Sequence, residues 1–465
     1  MTNVDIKTER LGKEPVGKLL LYFSLPAIAG LFANALYNIV DRIFIGQNVG
    51  ETGLAAVTVA FPLFEVSIAL CVLICVGAAS IASRSLGAGR KKRAELVLGN
   101  AFTLTLIFTL FVCLGMFMLL DPALKFFGAS ETILGPARDY MIIVLLGMPF
   151  FMISFVLNSL IRAEGSPRWA MGTLVIGTIA NIFLDWLFIC ALGWGVKGAA
   201  WGTSIAEFLS CLWVALYYAK YSVLKLSYKN LKVRMPIIMN MLAIGVTPCI
   251  TSISFAALLV ILNQTALKLG GDLAVSSIGI FLTLDTLFFL PALGISEAAQ
   301  PIIGYNYGAG LYHRVRRAIM LALISCLCAF SLSWVATQFF SWQIVRVFCN
   351  DHKVLIDMTA RALRIGYIFL PAAAIFVVTS YTLQSLGRAR EALIIQLVRQ
   401  LGICYPAMLI MPHIFGLDGI WMAFPATDLG GSILAFFAMY RELGKLKEEN
   451  VVALKVASDR SSGCR

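Results

Sequence analysis

Histidine and charge are both scarce in this chain of 465 residues: there are three histidines, and Asp, Glu, Lys and Arg together make up 13%. His313, His352 and His413 stand at no spacing from acids that would build a catalytic or metal-binding constellation. A G-x-x-x-x-G-K-[ST] segment is missing, so ATP hydrolysis through a phosphate-binding loop is excluded, and the GAGR of 87–90 reads as a tight turn between helices. The eleven cysteines include no CxxC pair. Most, such as Cys71, Cys75, Cys113, Cys190 and Cys404, lie in apolar stretches and read as small packing or lipid-facing residues. The opening MTNVDIKTERLGKEPVGK is polar and of mixed charge, unlike a cleavable signal peptide, so the first apolar segment is expected to persist as an anchor. Neither a metal centre nor an enzyme is expected, and no cofactor beyond a coupling ion.

What the chain has in abundance is apolar surface: 60% of residues are hydrophobic and the mean hydropathy is +0.86. That composition specifies an all-α polytopic membrane protein. The net charge of +12 would raise the question of nucleic acid in a soluble protein, but here the basic residues sit in short loops and report topology. Twelve spans are predicted, at 19–45, 54–82, 95–120, 137–160, 169–190, 199–219, 236–267, 275–305, 318–341, 359–385, 392–411 and 419–440. Basic residues crowd the N-tail (1–18), the loops 84–93, 162–168, 220–234, 313–317 and 387–390, and the C-tail (441–465). The opposite loops hold only Lys125, Arg138, Lys197, Lys268, Arg346 and Lys353. Both termini are therefore expected in the cytoplasm.

The chain also repeats itself at an offset of about 221 residues, the mark of an internal duplication. Gly87, Ala88 and Gly89 fall over Gly308, Ala309 and Gly310, Ser24–Pro26 over Val246–Pro248, and the GAAWG of 198–202 over the GIW of 419–421. Six spans per copy is an even number, so the copies share one orientation. The expected architecture is two pseudo-symmetric six-helix lobes, 19–219 and 236–440, joined by a cytoplasmic linker at 220–235 and enclosing a central cavity. Pro26, Pro62, Pro149, Pro248, Pro291, Pro301 and Pro371 mark expected kinks.

Residues 24–46, SLPAIAGLFANALYNIVDRIFIG, are long enough to cross a hydrocarbon layer of about 30 Å, yet contain Asp41. An ionised acid at membrane depth costs several kcal/mol unless it meets a partner, an ion or water, and Arg42 is the structural alternative for a partner. Asn34, Tyr37, Asn38 and Asp41 repeat at three- and four-residue spacing, so they form one polar stripe. In span five, Asn181 and Asp185 share a face. Both acids lie past the middle of outward-running helices, and Thr203, near the outer start of span six, reaches the same level. Two carboxylates, a carboxamide and a hydroxyl make an all-oxygen site for Na+ or for shared protons. The second copy lacks it: Asn263 stands for Asp41, and Ile403 and Ala407 for Asn181 and Asp185. It carries Asp285, Glu297, Arg399 and Asp428 instead, while Glu65, Glu164 and Glu207 are unplaced acids.

The stretches SLPAIAGLFANALYNIVDRIFIG, GETGLAAV, RAEGSPRWAM, NIFLD, GVKGAAWGT and GISEAAQPIIGYNYGAG, spread over both lobes, resemble the MATE (multidrug and toxic compound extrusion) transporters, in their MepA-like and DinF-like branch. The resemblance implies drug/H+ or drug/Na+ antiport by alternating access. It places a cation site on Asp41, Asn181, Asp185 and Thr203, with Tyr37, Tyr140 and Asn158 in the surrounding network. Members of the NorM type couple through acids in spans seven and ten, where this chain has Phe255 and Ala256 and no acid past the outer end of span ten. Glu297 stands where the related pattern has glutamine. The expected protein is a monomeric efflux antiporter of the bacterial inner membrane, meeting lipid and small amphipathic cations and no nucleic acid. A flippase for a lipid-linked saccharide is the alternative and predicts a cationic cavity; a structural membrane protein predicts that both aspartates tolerate Asn.

Overall fold

The computed structural model describes residues 3–348 and 353–462; His352 and the side chains of Asn38 and Ala256 lie outside the described set. Every regular element among the described residues is helical. Hydrocarbon offers the backbone no hydrogen-bond partners, so each apolar run closes its own ladder. Eleven helices are long and apolar enough to cross a membrane: Val16–Asn48, Thr52–Gly87, Lys91–Phe126, Glu131–Ala163, Pro167–Ala191, Gly195–Lys220, Met235–Gly271, Leu273–Gly308, Tyr312–Phe339, Ala389–Phe415 and Leu417–Glu449 are these, and the tenth span in chain order is a bent pair, Lys353–Gly366 with Leu370–Leu386. All twelve predicted spans are present, most of them longer than the apolar pattern suggested. The predicted continuous helix at 359–385 is instead broken by 56°. Pro371 follows the break, and its ring can neither donate to nor tolerate the carbonyl four residues back.

The duplication is visible in backbone detail. After span two, the N–H groups of Ala88, Gly89 and Arg90 donate to the carbonyls of Arg84, Leu86 and Ser85; after span eight, Ala309, Gly310 and Leu311 donate to Tyr305, Tyr307 and Asn306. The turn needs a left-handed residue, and glycine supplies it in both copies, at Gly89 (φ 70°) and Gly310 (φ 71°).

The chain forms two compact units, and neither is one contiguous stretch: unit 1 is Met1–Lys13 with Ala29–Gly245, and unit 2 is Glu14–Ile28 with Val246–Arg465. The crossings fall beside Pro26 in span one and Pro248 in span seven, so each lead helix serves one unit before its proline and the other after it. Glycines permit the close approaches that hold these segments. A Cβ on Gly245 would lie 1.8 Å from the Leu73 carbonyl oxygen, fixing the start of span seven on span two; one on Gly294 would lie 2.6 Å from Ile28, fixing span eight on the start of span one.

Within unit 1, the linker is tied down at both ends. Glu164, fully buried just past span four, accepts hydrogen bonds from Ser222 Oγ and Val223 N, each at 2.8 Å, and from Tyr217 Oη at 3.2 Å. Further on, Arg234 N donates to Asn100 Oδ1 at 2.7 Å and Thr103 Oγ1 to the Leu231 carbonyl at 2.9 Å.

Candidate functional site

A small apolar cluster at one end of unit 1, Ile45, Val57, Ile189, Val196 and Ala199, draws spans one, two, five and six together. Above it Tyr37, Asp41, Tyr140 and Thr203 face a cavity of about 50 Å³, walled also by Phe61 and Phe64. That is room for a cation and a few waters, and far below the roughly 300–1,000 Å³ of a pocket for a drug-sized molecule. Asn181 Nδ2 donates to Thr203 Oγ1 at 3.4 Å, which joins span five to span six at this level.

Asp185 is fully buried and is the last α-helical residue of span five before a π-helical turn, Trp186–Ala191. A π turn takes an extra residue and re-aims the side chains around it, and such turns cluster at functional sites. The carboxyl group rests on the bare backbone of span six, where a Cβ on Gly202 would lie 2.2 Å from Asp185 Oδ1. One helical turn earlier, a Cβ on Gly198 would meet the Phe188 backbone at 3.0 Å. The GAAWG of 198–202 therefore acts as a G-x-x-x-G face that lets span five come close enough to deliver its acid.

The Asp41 and Asp185 carboxyl groups lie close enough for each to feel the other's charge. Two carboxyl groups hydrogen-bond only when one of them holds a proton, because an ionised carboxylate only accepts. Asp41 Oδ1, both Asp185 oxygens and Asn181 Oδ1 are buried and, among the described residues, accept no hydrogen bond of good geometry, although the Asn181 side chain comes close to Asp185. Arg42 lines the same cavity and its charge acts on Asp41 from a distance. Its guanidinium lies over the Phe61 ring, 5.7 Å from the centroid, and no ion pair joins it to Asp41 among the described residues. The result is a cluster of carboxyl and amide oxygens short of close donors, an arrangement costly to bury unless a proton or another cation neutralises it.

Tyr37, Asp41, Tyr140, Asn181, Asp185 and Thr203 are thus brought together. Asn158 is not: it is buried on span four, eighteen residues past Tyr140, which is about 27 Å of helix rise. Asn34 is exposed on span one, two turns before Asp41, and the Asn38 side chain lies outside the described residues. Glu297 belongs to unit 2 and is half-buried there. Sequence reasoning left two residues without a role that the geometry supplies. Gly202 seats Asp185, and Glu207, one turn beyond Thr203 on the same face of span six, comes within electrostatic reach of Tyr37. The four-residue spacing from Thr203 was the available signal for Glu207.

Unit 2 has no second copy of this cluster among the described residues. Arg399, in a π-helical stretch of span eleven, pairs with Asp428 at 3.2 Å and lies 4.3 Å from the centroid of Phe376. Asp285 accepts a hydrogen bond from Tyr367 Oη at 2.9 Å. These side chains are held by direct protein partners, whereas no ion pair forms at Asp41 among the described residues.

The MatE family description matches residues 26–187 and 244–408, one block in each copy of the repeat. The Multidrug export protein MepA of Staphylococcus aureus (strain N315) is 28% identical over 419 residues, covering 90% of this chain and 92% of that relative. MepA of Staphylococcus haemolyticus (strain JCSC1435) is 26% identical over 440 residues, 94% of this chain and 96% of its own. Among solved structures, the MATE multidrug transporter DinF-BH, solved as a complex, is 36% identical with a TM-score of 0.87, covering 94% of this chain and 98% of that one. A MATE crystal structure in complex with MaL6 superposes with a TM-score of 0.90 at 25% identity, over 96% of this chain and all of that one.

Proposed function

Since the chain belongs to the MatE family of multidrug efflux transporters, we propose that it is a secondary antiporter exporting amphipathic, cationic compounds in exchange for H+ or Na+, coupled through Asp41 and Asp185. The observation that carries this reading is the cluster of buried, donor-poor oxygens on Asp41, Asp185 and Asn181 beside a cavity of about 50 Å³. Such a site fits a small cation and leaves the exported compound to bind elsewhere. Thr203, with its hydroxyl turned to Asn181, completes an oxygen set suited to Na+; a proton shared by the two carboxyls serves the same neutralising role.

Each step follows from charge. With the site empty, Asp41 and Asp185 repel, span one stands away from span five, and substrate enters from the cytoplasm. Arrival of H+ or Na+ from outside neutralises the pair, draws span one toward span five and bends it near Pro26, and this bend expels the substrate outward. At about 2.3 kcal/mol per charge per 100 mV, a potential of ~150 mV acting on one net charge supplies roughly 3.5 kcal/mol, enough for a gradient of a few hundred fold. The protein works as a monomer in the bacterial plasma membrane, with both termini cytoplasmic and no cofactor beyond the coupling ion.

Efflux of a fluorescent cationic dye from cells at matched expression tests the reading, with the proton and sodium gradients collapsed separately. Export is expected to depend on one gradient and to be lost in Asp41→Asn and in Asp185→Asn. Export that survives both substitutions would sink the coupling site. Wild-type cells that export no dye would point to another amphiphile, such as a lipid-linked saccharide.

A further inference from the structure

A second opening lies in unit 2, where spans nine and twelve meet at the end that carries the basic loops. It is a crevice of about 430 Å³ lined by His313, Arg316, Arg317, Met320, Leu446 and Lys447, with Tyr312 at its rim. The basic residues nearby divide into two sets. Arg314 is used by the fold, donating to Asn306 Oδ1 at 2.8 Å and to the Glu14 carbonyl, and Lys445 pairs with Glu391 and Glu442. Arg316, Arg317 and Lys447 are exposed and, among the described residues, meet no carboxylate at ion-pair distance. One acid approaches: Glu449 faces Tyr312. Two guanidinium groups and an ammonium group against one nearby carboxylate leave the crevice positive.

The repeat shows what such a groove holds when it is filled. About 221 residues earlier, Arg316, Arg317 and Met320 correspond to Glu95, Leu96 and Gly99, and the groove there is occupied by the linker. Glu95 accepts from Lys225 N, a Cβ on Gly99 would lie 2.2 Å from the Asn230 carbonyl oxygen, and Thr103 donates to Leu231. In unit 2 the position of Thr103 is taken by Ile324, which is 51% exposed, and below it Leu327 and Leu332 are exposed as well. The polar seat for a peptide backbone has become an apolar stripe running down span nine from a basic head. Residues 450–465 carry three basic side chains against one acidic, so the chain's own C-terminal segment does not match the crevice in charge.

We propose that this crevice binds an anionic phospholipid, its phosphate held by Arg316, Arg317 and Lys447 and an acyl chain lying along Met320, Ile324 and Leu327. The basic pocket supplies attraction to the headgroup, and the exposed stripe replaces the peptide contacts of the first copy with contacts to a hydrocarbon chain. A soluble phosphate compound would use the arginines and leave the stripe unused.

The test is lipid binding to the purified full chain in detergent, followed by native mass spectrometry and by thermal shift. Dioleoyl phosphatidylglycerol is expected to bind and stabilise, and dioleoyl phosphatidylcholine, with identical chains, is expected not to. At about fivefold per basic residue, Arg316→Gln/Arg317→Gln weakens phosphatidylglycerol binding about 30-fold. Should that double variant fail to fold, Lys447→Gln, at an exposed position, is expected to weaken it about fivefold. The shift should also shrink as salt rises from about 0.05 to 0.5 M. Equal binding of the two lipids, unchanged binding in the folded variants, or full stabilisation by inorganic phosphate alone overturns the proposal.

Discussion

Gly202 shows how one missing atom shapes the proposed coupling site. Asp185 Oδ1 would lie 2.2 Å from a Cβ placed there, so Gly202→Ala must push the carboxylate off span six and out of its present position. The same substitution favours the helix by up to about 1 kcal/mol. The helix gain and the cost of shifting a buried side chain oppose each other, so we expect a melting temperature near wild type together with a loss of dye export of at least about tenfold. Export that survives in the alanine variant would show that Asp185 does not need its present position. This residue was invisible as a functional one in the sequence, since its role depends on how close two helices come. Asp41 and Asp185 were legible because an acid inside an apolar run has so few inexpensive explanations, and Thr203 followed from counting residues to a common depth. Asn158 shared their chemistry but sits far along span four, because residue type alone does not fix depth.

Among the elements, the linker and its anchor carry a pH dependence of their own. Burial pushes the Glu164 carboxyl from its ordinary 4.5 up to about 7, against the hydrogen bonds from Ser222 and Val223 that pull it down. Between those values the folded chain holds a proton that the unfolded chain has released. The contribution to stability is thus full below pH about 4.5, declines as pH rises toward 7 and is gone above it, at no more than about 1.4 kcal/mol per pH unit. Hydrogen exchange at the amides of 222–224, corrected for its intrinsic pH dependence, should show protection falling from pH 5 to 8 in the wild type. In Glu164→Gln it should stay level; parallel profiles in the two proteins would rule the anchor out. The cores of the spans could be read from apolar runs, but their ends could not, because helices such as Lys91–Phe126 and Glu131–Ala163 continue through polar residues that look like loop. The break in span ten and the π turns beside Asp185 and Arg399 leave only Pro371, or nothing at all, in the sequence.

For the molecule as a whole, counting the bent pair as one span gives an even number, which puts both ends on one side of the membrane. Cys464 and a cysteine placed at position 90 should react with a membrane-impermeant maleimide only after the cells are opened, whereas one placed at 268 should react in intact cells. Labelling of Cys464 and position 268 from the same side would contradict the twelve-span topology. The duplication was legible from the paired Gly-Ala-Gly turns, while the exchange of lead-helix segments at Ile28 and Gly245 was not, because its contacts link residues far apart in the chain. That exchange sets a timetable for biosynthesis. Ile28 leaves the ribosome early, yet Gly294, against which it packs, follows about 270 residues later, which at roughly 5–20 residues per second is a delay of about 15 to 50 s. Through that interval the first membrane segment waits in the bilayer with half of its native surroundings still unmade, so the newborn chain depends longest on its insertion machinery at the helix that carries Asp41.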